Sequence, residues 1–137
     1  MKTYLFTFLF CTFLQLGYAQ AQDTIVSKKT QSVDDIVYNT SGIEVLPEFP
    51  GGMNAFYAFV GKTFRTPNVA NLKGKIYIQF IVNNDGRLVD FKILKDLGYG
   101  TGDEAIRVLR KSPLWKPGEQ NGKKVRCSYS LPISIQT

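Results

Sequence analysis

The chain has 137 residues, with 17 Lys/Arg against 11 Asp/Glu, a formal net charge of +6 and no histidine. The missing histidine excludes Ser-His-Asp and Cys-His catalysis, histidine-ligated zinc and histidine acid–base chemistry. The length suits one domain plus a tail, and 44% apolar residues is enough for a core that needs no disulfide.

Met1-Lys2-Thr3 carries one positive charge, Tyr4 to Leu16 is mostly apolar, and small residues follow at Gly17, Ala19 and Ala21. This order predicts a secretory signal over residues 1–21. The run is shorter than the roughly 17 to 25 apolar residues that span a bilayer. Cleavage after Ala19 or Ala21 would leave 118 or 116 residues; an uncleaved run would act as an inner-membrane anchor. Cys11 leaves with the signal, so Cys127 is the only mature thiol and no intramolecular disulfide forms.

Charge divides the remainder. Gln20 to Pro50 holds two lysines and five acids, whereas Gly51 to Thr137 holds fourteen Lys/Arg and six acids. Residues 22–46 lack a sustained apolar period and are expected to be a disordered polar tether. The domain is expected over 47–137. Pro47, Pro50, Gly51 and Gly52 punctuate its entry, and Met53, Phe56, Tyr57, Val60 and Phe64 then share one helical face.

Ile76, Ile78, Phe80 and Val82 alternate with Tyr77, Gln79 and Ile81, the pattern of a half-buried strand. Asn83-Asn84-Asp85-Gly86 is a turn, and the return strand sets Val89, Phe91 and Ile93 on one face. Thr101 and Glu104 fit a capping box for a second helix, with Ala105, Ile106 and Leu109 inward and Val108 at the edge. Pro113 stops that helix. Val125, Cys127, Tyr129, Leu131, Ile133 and Ile135 alternate with polar residues in a final strand. The sum is an α+β domain of order α-β-β-α-β, a small three-stranded antiparallel sheet with two helices on one face.

No catalytic constellation emerges, and no cofactor is expected. Gly98-Tyr99-Gly100-Thr101-Gly102 lies where phosphate loops occur, but no Lys-Ser/Thr follows, and Asp103 and Glu104 would repel a phosphate. Cys127 lies on the apolar face of its strand with no base beside it and is expected in the core. The basic balance serves solubility or an acidic envelope partner, with Arg107, Arg110, Lys111, Lys116, Lys123 and Lys124 as candidates. Export removes nucleic acid as a partner. The final strand, last in a three-stranded sheet and carrying Pro132, is expected at an edge, where proteins either blunt the strand or use it to bind another.

PEFPGG at Pro47–Gly52, GKIYIQFIVNNDGRL, the helix with Asp-Glu-Ala-Ile-Arg-Val-Leu, PLWKPGEQNGKKV and the closing LPI at Leu131–Ile133 occur in order. Together they resemble the TonB C-terminal domain, in the form common among Bacteroidetes-like envelope proteins, over about Pro47 to Ile135. The resemblance implies the same α-β-β-α-β architecture, a periplasmic location and no enzymatic activity. It further implies binding of the TonB box, a short strand-forming segment of TonB-dependent outer-membrane transporters, beside the last strand. Carried over by motif, the partner-binding residues are Val125, Arg126, Cys127, Ser128, Tyr129, Ser130 and Leu131, flanked by Arg65, Thr66 and Pro67. Proline at Ser128 would then weaken binding. Full transducers resembling this domain add a membrane helix with a Ser/His pattern and a Pro-rich spacer, neither of which is present here. The expected role is therefore adaptor or modulator in energy-coupled transport. A structural envelope protein that holds peptidoglycan or another anionic polymer is the alternative, and a homodimer stays open.

Overall fold

The computed structural model describes residues 32–137; the predicted signal and the first part of the tether lie outside them. The elements are β1 (Val37–Asn39), α1 (Gly52–Thr63), β2 (Lys73–Val82), β3 (Leu88–Lys95), α2 (Thr101–Arg110), β4 (Gly118–Gln120) and β5 (Lys123–Gln136). Among the described residues no helix is long and apolar enough to cross a membrane.

The expected α+β architecture is present. β2 pairs antiparallel with β3 on one side and with β5 on the other, Ile76 opposite Ile133 and Ile78 opposite Leu131. Because strand side chains alternate, this register puts Ile76, Ile78, Phe80 and Val82 on one face with Cys127, Leu131, Ile133 and Ile135. Phe56 and Val60 of α1 and Ala105, Val108 and Leu109 of α2 bury against that face in one continuous core. Trp115, between α2 and β4, is 2% exposed. Its ring lies 5.5 to 5.8 Å from Phe49, Phe56, Phe80 and Tyr129. These are separations at which edge-on aromatic contacts are favourable.

Several expectations are refined. The sheet is mixed and larger than three strands: β1 runs parallel to β5, and β4 forms a short antiparallel pairing with it. Residues 32–46 were expected to be tether, yet β1 lies within them, and Val45 and Glu48 bridge to Glu119 and Lys116. Ile43, Val45, Pro47 and Phe49 form a period-two apolar pattern, and Phe49 is buried.

On β3, Asp90 adopts φ 54° where the register shifts, so Leu88 rather than Val89 joins Phe91 and Ile93 against the core. Tyr57 remains 46% exposed, while Phe59 packs inward. On α2, Val108 is fully buried and Ile106 only partly.

The capping box does not form. Gly100, with φ 73°, precedes α2 and supplies no side-chain cap. The Thr101 hydroxyl donates to Gly98 O at 2.7 Å and accepts from Leu97 N–H at 3.2 Å. Thr101 therefore stitches the incoming loop, and the Glu104 carboxylate is left for a tertiary role.

Candidate strand-binding edge

β5 is a 14-residue strand that continues well beyond its short neighbours. On one side it pairs with β2 from Cys127 to Gln136. On the other, β1 pairs only with Arg126 to Ser128. β4 pairs with Lys123 to Val125. The expected edge is thus already occupied over Arg126 to Ser128. The correction has a simple cause: a strand last in sequence is last in the sheet only when no upstream segment adds to it. From Tyr129 to Gln136 the outer edge has no strand partner among the described residues.

Pro132 sits in this free stretch and brings no N–H to a ladder. A paired strand accepts proline where its nitrogen faces away from the partner. By alternation, Ser128, Ser130 and Ser134 turn their N–H groups the same way, toward the outer edge.

Beside the end of this edge lies a groove of about 350 Å³ between Tyr57, Val60, Gly61 and Phe64 of α1, Thr66, and Ile133 to Gln136. Burial, and then the nearby Tyr57 hydroxyl, push the Tyr129 phenol above its ordinary range. α1 therefore lies over the free half of β5, and the groove beneath it mixes apolar residues such as Val60, Phe64 and Ile133 with polar Thr66, Ser134 and Gln136.

The carried-over residues fall into two groups. Thr66 lines the groove at the end of β5, whereas Val125 and Arg126 lie near its start, roughly 25 Å away along the strand at about 3.3 Å per residue. Pro67 O accepts from Val69 N–H, and the Val69 carbonyl accepts the Thr137 hydroxyl at 2.7 Å, tying this loop to the last residue.

Arg65 is fixed through its backbone. Its N–H donates to Glu104 Oε1 at 2.7 Å. Arg107 donates to both Glu104 oxygens and, through Nη2, to Thr63 O at 2.7 Å. The Arg107 hydrogen bond is the main influence that holds the Glu104 carboxyl below its usual range, against partial burial and with help from Arg65. Glu104 and Arg107 thus clamp the end of α1 and the start of the Arg65–Pro67 loop. Sequence reading assigned Glu104 to a cap because only the fold brings Arg65 to it.

Arg126 Nε donates to Asn83 Oδ1 at 2.9 Å, so this side chain braces the β2–β3 turn. Cys127 is fully buried, and burial raises its thiol pKa while a Gly118 backbone hydrogen bond opposes it. Neither side chain is presented to a partner; what β5 offers there is backbone. Of the basic candidates, Arg107 is engaged with Glu104, Arg110 stacks 5.5 Å over Phe91 and Lys116 lies 3.5 Å from Glu48. Lys111, Lys123 and Lys124 have no ion pair among the described residues.

No curated protein matches the chain. Residues 68–134, which run from just before β2 almost to the end of β5, match the family model described as Gram-negative bacterial TonB protein C-terminal. Residues 68–134 of the folded domain are thus identified as a TonB C-terminal domain.

Proposed function

We propose that this protein binds a strand-forming segment of a TonB-dependent outer-membrane transporter, the TonB box, by adding it to the outer edge of β5, and that it serves energy-coupled transport as an adaptor or modulator. One observation carries the reading: a long strand whose edge from Tyr129 to Gln136 has no strand partner among the described residues, beside a groove lined by both apolar and polar side chains. A sheet edge with free N–H and C=O groups is a template for a further strand, and a neighbouring pocket selects among side chains. The proposed site takes in Val125 to Leu131 and extends to Gln136. Arg65, Thr66 and Pro67 would flank the far end of the bound segment, where Thr66 meets the groove.

The test is titration of synthetic transporter N-terminal peptides against the exported chain by calorimetry. Ser130→Pro removes an outward N–H without touching the core face. Binding that weakens roughly tenfold or more in this variant, with an unchanged fold, supports the reading. Equal affinity in a folded Ser130→Pro protein counts against strand addition.

A further inference from the structure

β1 joins β5 through three residue pairs in the parallel sense: Val37 with Arg126, Tyr38 with Cys127 and Asn39 with Ser128. Downstream of it the chain is firmly held. Val45 and Glu119 exchange backbone hydrogen bonds of 3.1 and 2.9 Å, Glu48 and Lys116 exchange bonds of 3.0 and 2.8 Å, and Phe49 is buried in the core.

β1 itself sends no side chain into that core, and Ile36 and Val37 remain 42% and 39% exposed. Between the two lies a single 3₁₀ turn, Thr40–Gly42, in which the Asn39 carboxamide accepts from the Ser41 N–H and hydroxyl. β1 is therefore a short arm on a fixed post. Just before β1 the chain makes a 3₁₀ turn over Val33–Asp35, and Asp34 lines a cleft with Lys123 and Lys124.

We propose that β1 is a built-in competitor: the chain's own strand occupies part of the position on β5 that a partner strand takes, and swings away about the Thr40–Gly42 turn when the partner binds. This rests on the proposed strand-adding edge of β5. A segment tethered so closely has an effective concentration in the millimolar range, so it holds the position against weak or non-specific strands. A longer strand gains the free stretch from Tyr129 onward as well, and three residue pairs are little to displace. The partner's apparent affinity falls by the fraction of chains with the position open.

The test uses the full chain and, as probe, a synthetic peptide of the Ser32–Thr40 sequence with blocked ends, followed through the NMR amide shifts of Arg126 to Ser128. Tyr38→Pro unseats β1 by removing an N–H and fixing φ. Tyr38→Gly loosens it without a ring and serves if the proline variant does not fold. The unseated variant is expected to bind the peptide at least about tenfold more tightly than the wild type, with shifts confined to the start of β5. Equal binding by the two proteins overturns the competition. No shift in the unseated variant at millimolar peptide overturns the idea that this position accepts a strand in trans. A transporter peptide that fails to bind would count against the proposed function and leaves this comparison standing.

Discussion

Gly86 closes the β2–β3 turn with φ +86°, and a Cβ built on it would lie 2.1 Å from the Trp115 carbonyl oxygen. Its own carbonyl accepts the Trp115 N–H at 2.9 Å, so the turn and the aromatic centre are bonded through this residue. Gly86→Ala therefore carries two penalties. A non-glycine residue in the left-handed region costs about 1–2 kcal/mol. The contact with a backbone oxygen also forces the turn away from Trp115, and losing that hydrogen bond costs about another 1 kcal/mol.

Displacement of the Trp115 ring adds to this, so a total of about 3 kcal/mol is expected. Gly98→Ala isolates the first penalty, because Gly98 has φ +74° with nothing within 4 Å of its Cβ position. It should cost about 1–2 kcal/mol. Urea unfolding reported by the fluorescence of Trp115, the one tryptophan, measures both. Equal losses in the two variants would refute the claim that close approach to Trp115, rather than backbone conformation alone, dictates glycine at position 86.

Three further outcomes follow from the same geometry. Phe49→Ala should cost about 3–5 kcal/mol by chemical denaturation, since Phe49 is 4% exposed and its ring lies 5.5 to 5.8 Å from Phe56, Phe59 and Trp115; a loss under about 1 kcal/mol would place the domain's start after it. Glu104 has a folded-state pKa below its ordinary 4.5, so its contribution is present above that value and is lost as pH falls through the lower folded value. Glu104→Gln should accordingly flatten the stability profile below about pH 4.5, and an unchanged acid limb in thermal melts would reject the clamp. In a chain carrying Cys11→Ser, Cys127 should react with a thiol reagent only as fast as the domain opens, because the thiol is buried and its pKa raised; rapid labelling of the native protein would contradict that burial.

The three main strands and both helices were legible in the sequence because each carries its own period. The alternation from Ile76 to Val82 and from Val125 to Ile135 fixes which face is buried, and any register that joined the two strands had to respect it. The Asn83–Gly86 turn was equally local. What the sequence alone did not disclose depends on residues far apart in the chain. Asp90 gives no local sign of a bulge, and the bulge exchanges Val89 for Leu88 at the core. Thr101 and Glu104 match a capping pattern, yet Glu104 turns to Arg65 and Arg107 once α1 is docked.

The edge of β5 shows the difference most plainly. Sequence determined that the last strand is long, with one apolar face and one polar face, because side-chain alternation is a property of a single strand. Whether its edge is free was decided by the fold, since backbone groups at an edge are indifferent to the sequence that pairs with them. Val37-Tyr38-Asn39 is too short to stand out as a strand and acquires that conformation only because β5 supplies its hydrogen-bonding partners. The division of β5 into a stretch paired with β1 and a stretch with no strand partner among the described residues is therefore a tertiary fact.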